Sequence, residues 1–162
     1  MRSLSKFLGP DLRLALVAAD TQSAMRLEAR LSAGTTWVSR LLQHSARELL
    51  ADPGVHELHE RAREAYAHRS GLLIQRLHAH GIEVPHRPDG LNVWVELDVD
   101  SGSVVQALAE RGWAVRPGHL FVHDPSARQG AIRVTSSTVT EPQAEAFAAE
   151  LAAVVAALRT TR

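Results

Sequence analysis

The sequence predicts an α/β chain that ends in a small α+β lobe, and three observations carry this prediction. Apolar and polar residues alternate over 91–97, which indicates a strand. The segment 53–81 keeps a helical periodicity throughout, and another apolar helical stripe follows Thr140. We therefore expect three regions: 1–52, mainly helical after an opening strand; 53–81, one long helix; and 82–162, the α+β lobe.

The first region is predicted to open with an extended segment. Residues 12–19 are rich in Leu, Val and Ala, which favours a buried strand, and the turn residues Gly9-Pro10-Asp11 precede it. Amphipathic helices are predicted over 22–32 and about 36–51. Because a lone strand cannot satisfy its hydrogen bonds, we expect either another chain or an earlier part of a larger domain to pair with it.

The remaining elements are predicted from their boundary residues. Asp52 is a good N-cap and Pro53 suits the first helical position, while Gly81 fits the end of the long helix. The lobe is then predicted to contain, in chain order, the strand 91–97, a helix over 103–111 ended by Gly112, strands over 113–116 and 131–135, and a final helix that begins at the capping box of Thr140 and Gln143.

Composition excludes several classes of partner. The 18 basic and 18 acidic residues balance, so no cationic field attracts nucleic acid, and no apolar run approaches the ~20 residues of a membrane span. The absence of cysteine excludes disulfides and thiolate zinc sites and suits a cytoplasmic location. Three histidine pairs have metal-like spacing, but three or four convergent ligands are not evident, so we expect no metal: His56/His59, His78/His80 and His119/His123.

The run from Ser3 to Arg13 carries the chemistry. Lys6 is the single lysine of the chain, beside 17 arginines. A cofactor that bears an aldehyde and a phosphate needs an amine for a Schiff base, and hydroxyls and a guanidinium for the phosphate. Ser3, Ser5, Lys6 and Arg13 supply these groups around a Gly-Pro turn. The same residue types also suit an ordinary surface turn, so composition alone leaves both interpretations open.

This run resembles the Schiff-base lysine motif of class I and II aminotransferases. Its lysine-to-arginine spacing and Pro10 are most like the aminotransferase-like domains of MocR-type, GntR-family regulators. Asp11 departs from the pattern, because that family usually has a small residue there. The resemblance implies a fold-type I, pyridoxal-phosphate-dependent fold, with Lys6 bound to the cofactor as a Schiff base and with Ser3, Ser5 and Arg13 on its phosphate.

The resemblance continues to the end of the chain. Residues 90–97 are similar to a strand of the family's small domain, and 115–121 to the segment that passes the active site. Residues 131–135 stand where the family has the arginine that binds the substrate carboxylate, which makes Arg133 the candidate for that role. Its alternative is an ordinary surface arginine on an edge strand.

The resemblance implies only the carboxyl-terminal portion of the domain, because the family's glycine-rich loop, ring-stacking aromatic and pyridine-binding aspartate precede the lysine. We therefore expect 1–52 to belong to the large domain and 82–162 to be the small domain. The partners implied are an amino acid, as substrate or effector, and either a second copy in a homodimer or a complementary amino-terminal half.

Three functions are compatible with these residues. The chain is part of an aminotransferase that acts on an amino acid, or the cofactor- and effector-sensing part of a transcription regulator, or an inactive fragment that keeps only the fold. A winged-helix domain upstream would favour the regulator. Failure of the isolated chain to bind pyridoxal phosphate would favour the fragment.

Overall fold

The computed structural model describes residues 1–34, 37–86, 88–121 and 130–160. By the density of contacts the chain divides into two units, Met1–Arg61 and Ala62–Arg162. Each unit is described by itself.

The first unit contains a two-stranded antiparallel hairpin and two helices. Strand β1 spans Arg2–Ser3 and pairs with β2, Ala15–Leu16. Helix α1 spans Thr21–Ser32, and helix α2 spans Arg40–Ala51. The strand predicted over 12–19 is thus only two residues long, and its partner is the start of the same chain.

Side-chain caps set where these helices begin. The carboxylate of Asp20 accepts from the main-chain N–H of Ser23 at 2.9 Å, and the hydroxyl of Ser39 accepts from that of Leu42 at 3.3 Å. Each bond satisfies an N–H that has no partner inside its helix. The second helix therefore begins at Arg40, whereas the sequence predicted a start near residue 36, which lies outside the described residues.

The long helix is observed as α3, Pro53–Ala79, which crosses from the first unit into the second. Gly81 has a φ of +75°, and two bonds close the helix: Gly81 N–H to His78 O at 3.0 Å and Ile82 N–H to Leu77 O at 2.9 Å. This is the Schellman arrangement, in which a residue with positive φ, here glycine, lets the chain leave the helix.

The second unit has the α+β architecture that the sequence predicted for 82–162, and it also includes the part of α3 from Ala62 onward. Its sheet has the order β3-β5-β4 and is antiparallel throughout. Its elements after α3 are β3 (Asn92–Glu96), α4 (Ser101–Ala109), β4 (Arg116–Pro117), a 3₁₀ turn (Gly118–Phe121), β5 (Ala131–Thr135) and α5 (Glu141–Thr160).

One face of this sheet is covered by apolar side chains that form the main core. Val93 and Val95 of β3 and Ile132 of β5 are fully buried, together with leucines of the helices such as Leu73 and Leu151. Because side chains alternate along a strand, the residues between them lie on the opposite face. That outer face carries Arg133 and its neighbours.

Candidate functional site

The four residues of the predicted cofactor site lie at the end of β1, which is Ser3, and in the loop between β1 and β2, which carries Ser5, Lys6 and Arg13. The register pairs Ser3 with Ala15, and the N–H of Leu4 donates to the oxygen of Leu14 at 2.9 Å. Leu4 and Leu14 are buried in a small apolar cluster of this unit. The loop is therefore anchored at both ends by main-chain pairing and by burial.

Within the loop the chain turns twice. The N–H groups of Phe7 and Leu8 both donate to the oxygen of Leu4, at 3.0 and 2.8 Å, which folds the residues around Lys6 into a tight turn. Gly9 follows with a φ of +123°, a conformation that side chains with a Cβ rarely adopt. The Gly-Pro signal in the sequence therefore marks a real change of chain direction.

Ser3 and Ser5 have different hydrogen-bonding roles. The hydroxyl of Ser5 donates to the main-chain oxygen of Leu12 at 3.0 Å. The hydroxyl of Ser3 accepts from the N–H of Ser5 at 3.4 Å, so its own hydrogen remains free to donate. In this conformation Ser3 is thus the better donor to an anion, while Ser5 holds the loop together.

Lys6 and Arg13 are both exposed in this loop. In the described part of the chain neither forms an ion pair, and the carboxylate of Asp11 pairs with neither of them. Two unpaired cations in one short loop create a local positive potential. Ser3, Ser5, Lys6 and Arg13 thus lie on one short hairpin that carries two positive charges without an ion-pair partner among the described residues.

A contact that the sequence did not predict fixes the residue next to Lys6. The Nε2 of His59 lies 2.8 Å from the main-chain oxygen of Phe7, and the two rings are 3.8 Å apart. Because a carbonyl oxygen only accepts, Nε2 carries the hydrogen in this bond. In the sequence, the spacing of His56 and His59 suggests a metal pair and gives no sign of a contact with Phe7.

In the second unit, Arg133 lies at the centre of the outer face of the sheet. It is opposite Trp94 of β3 on one side and Arg116 of β4 on the other. Residues directly opposite in antiparallel strands project to the same face. The three side chains therefore form one row across the sheet.

Arg133 is held by an aromatic ring. Its guanidinium carbon lies 3.9 Å from the centroid of the Phe121 ring, a cation–π contact. Gly118 permits the turn that carries Phe121, because a Cβ at Gly118 would lie 2.8 Å from both Ala131 and Trp94. In the described part of the chain the buried Nε of Arg133 has no hydrogen-bond partner, which leaves a donor for a ligand.

The described residues contain no group of three or more His, Asp or Glu side chains placed to hold a metal, and His123 lies outside them. No helix there has the length and apolar character needed to cross a bilayer.

The family follows from comparison with known proteins. The model of the family described as aminotransferase class I and II matches residues 1–151. The chain therefore belongs to the class I and II aminotransferase family, and the resemblance carried by its lysine motif is confirmed.

One curated relative of the chain is a transcriptional repressor. The chain is 40% identical over 151 residues to the vitamin B6 salvage pathway transcriptional repressor PtsJ of Salmonella typhimurium. The match covers 93% of this chain but 34% of the repressor, so the chain spans about a third of the length of that relative.

Solved structures agree on the fold. The chain is similar to LysN, an alpha-aminoadipate aminotransferase of Thermus thermophilus, with 25% identity and a TM-score of 0.77, over 99% of this chain and 42% of that one. A multiple substrate aminotransferase of Thermococcus profundus gives a TM-score of 0.84 at 22% identity, over 99% and 41%. The predicted α/β fold of the fold-type I aminotransferases is thereby confirmed.

Proposed function

We propose that this chain binds pyridoxal phosphate through Lys6, as part of an aminotransferase domain that acts on an amino acid. The observation that supports the proposal is that one short hairpin carries Ser3, Ser5, Lys6 and Arg13, with neither cation in an ion pair in the described part of the chain. Two relatives support it, since LysN was solved with a phosphopyridoxyl-leucine and PtsJ is named for vitamin B6 salvage.

The residues of this hairpin suit both the aldehyde and the phosphate of the cofactor. The Nζ of Lys6 is the amine that an aldehyde requires. Arg13 offers a planar fork of N–H groups, and Ser3 a free hydroxyl hydrogen, which together suit a phosphate. The hydroxyl of Ser5 donates its hydrogen to the oxygen of Leu12 and so holds the loop closed, which leaves only its oxygen lone pairs for a further contact in this conformation.

When bound, pyridoxal phosphate supplies an aldehyde and an electron-withdrawing ring. This chain supplies an amine at Lys6 and a guanidinium at Arg133. Lys6 is the residue that holds the cofactor and, once its amine is free, moves the proton of the amino acid's α-carbon at Nζ. An arginine cannot do this because it stays protonated. Arg133 binds the carboxylate of the amino acid through its guanidinium.

A second candidate is the sensing part of a transcription regulator, and the 40% identity to the repressor PtsJ favours it. In this function the same groups hold the cofactor and an amino-acid effector, and the result is a change of conformation. Turnover distinguishes the two functions. Completed by an amino-terminal half and supplied with pyridoxal phosphate, the chain converts amino acids to keto acids if it is part of an enzyme, and the same assembly binds them without conversion if it is part of a sensor. An inactive fragment does neither.

The cofactor proposal is tested by equilibrium titration of pyridoxal phosphate with the wild type, Lys6→Ala and Lys6→Arg. Lys6→Arg keeps the charge but removes the amine, so we expect both variants to lose specific binding equally. Arg30→Ala, at the exposed end of α1, serves as the control for a lost surface cation. Wild-type affinity in Lys6→Ala would contradict the proposal.

We also propose that the first unit is completed by another polypeptide, either a second copy or an amino-terminal half. Helix α1 has no buried residue, and its apolar side chains Met25, Leu27 and Leu31 are all exposed. Apolar surface of this kind is typical of interaction sites. Sedimentation of the purified chain should show self-association. A monomer at all concentrations would leave the complementary half as the remaining partner.

A further inference from the structure

The row across the outer face of the sheet contains two arginines side by side. Arg116 of β4 is opposite Arg133 of β5 in the antiparallel register. Side chains directly opposite in such a pair have Cβ atoms about 4.5–5.5 Å apart, and like charges placed there destabilise a sheet. The sequence predicts a role for Arg133 and none for Arg116.

The described residues do not neutralise this pair. Arg116 is exposed and forms no ion pair in the part of the chain that the structure describes. Glu96 is the acidic residue of the same face, but it is opposite Ala131, one row away, and forms no ion pair there with either arginine. The face thus presents two adjacent positive charges, and among the described residues an aromatic ring, that of Phe121, lies against Arg133 alone.

We infer that Arg116 is a second anion-binding residue, and that the pair selects an amino acid or effector with two carboxylates. This rests on the proposed binding of an amino-acid carboxylate by Arg133. A single carboxylate satisfies one guanidinium through two parallel hydrogen bonds. A second carboxylate on the same small molecule then pairs with Arg116 and removes the repulsion between the two strands.

The test uses two five-carbon probes and the full chain. Glutarate carries two carboxylates and pentanoate carries one, and their binding is followed by the N–H signals of the arginine side chains at constant ionic strength. Variants Arg116→Gln, Arg116→Lys and Arg133→Gln are compared. Arg30→Gln, on α1 of the first unit, controls for the loss of one exposed positive charge. Because Arg116 is exposed, its substitution leaves the core intact.

We expect glutarate to bind about tenfold more tightly than pentanoate, the size of one charge-assisted contact. Arg116→Gln removes this preference without weakening pentanoate, Arg116→Lys keeps part of it, and Arg133→Gln weakens both probes. Equal binding of the two probes, an unchanged preference in Arg116→Gln, or no binding of glutarate overturns the inference.

A parallel measurement separates this result from the proposed function. The borohydride-stable adduct of pyridoxal phosphate at Lys6 is measured in the same wild-type and Arg116→Gln samples. An intact adduct without a glutarate preference in the wild type overturns the role of Arg116 alone. A glutarate preference in a chain that forms no Lys6 adduct supports Arg116 and contradicts the cofactor proposal.

Discussion

The hydroxyl of Ser5 donates a 3.0 Å hydrogen bond to the main-chain oxygen of Leu12. This bond joins the residue before Lys6 to the residue before Arg13, and so holds together two groups that are seven positions apart in the sequence. The loop between β1 and β2 is therefore shaped before any ligand arrives, which limits the conformational entropy that binding would cost.

Replacing Ser5 with alanine should loosen this loop. We expect a loss of about 0.5–1.5 kcal/mol in the free energy of unfolding, the usual net contribution of one hydrogen bond. Urea denaturation measures it. Ser32→Ala is the matched control, because its hydroxyl bonds only to exposed carbonyls one turn back in α1, where alanine is a better helix former. Equal effects of the two substitutions would contradict a structural role for Ser5.

Arg13→Ala should weaken the binding of pyridoxal phosphate and leave the binding of pyridoxal, which has no phosphate, unchanged. The expected loss is about 10- to 100-fold, since a hydrogen bond to a charged group contributes ~1.5–3 kcal/mol. The two ligands are titrated against the same protein samples. A parallel loss for both would mean that Arg13 supports the loop rather than the phosphate.

Glu145 makes part of the stability depend on pH. Its carboxylate accepts from His80, whose Nε2 lies 2.8 Å away, and this bond holds the pKa of Glu145 below its usual 4.5, aided by the charges of His80 and Arg76. A lowered folded pKa contributes stability that is present above the unfolded pKa and is lost as pH falls through the folded value.

Glu145→Gln should therefore lower the urea midpoint at pH 7, and the difference from the wild type should shrink as pH falls below 4.5. Glu28→Gln, at an exposed position of α1, should show no such trend. A difference between wild type and Glu145→Gln that stays constant from pH 7 to pH 3 would contradict this account.

Two glycines of the second unit should respond to alanine in opposite directions. Gly118→Ala places a Cβ 2.8 Å from Ala131 and Trp94 and should cost about 1–3 kcal/mol, as overpacking does. Gly71→Ala, in α3, meets nothing within 4 Å and should stabilise by about 0.5–1 kcal/mol. Thermal unfolding of both variants checks the pair. A neutral Gly118→Ala would show that the turn carrying Phe121 can shift freely.

Elements bounded by strong local signals were predicted closely. The strand 131–135 has the predicted bounds, and Thr140 and Gln143 bond as a capping box expects, with the N–H of Thr140 donating to Oε1 of Gln143 at 3.0 Å. The long helix ends through Gly81, as predicted. In each case the information lies within a few residues of the boundary.

The strand predicted over 113–116 shows why other elements were misplaced. The N–H of Trp113 donates to Leu108 at 2.9 Å and completes the end of α4, while its ring packs edge-on against Phe147 of α5. Trp113 therefore belongs to a helix cap and the core, and β4 begins at Arg116. The periodicity of apolar residues does not show which acceptor a main-chain N–H will bond to.

For the candidate site too, local sequence signals were informative and tertiary contacts could not be predicted. The residue types of Ser3, Ser5, Lys6 and Arg13 pointed to a cofactor with an aldehyde and a phosphate. The sequence could not show that Ser5 closes the loop, that His59 fixes Phe7, or that Arg116 is opposite Arg133, because each depends on tertiary contacts or on strand register. Those contacts now separate the roles of residues that looked equivalent.

The most direct test of the central claim uses the single lysine of the chain. The purified protein is mixed with pyridoxal phosphate and reduced with borohydride, and the adduct is mapped by mass spectrometry, where only Lys6 and the terminal amine can react. The account predicts a saturable adduct at Lys6 that falls in Arg13→Ala. An adduct no greater than that of the denatured chain would contradict it.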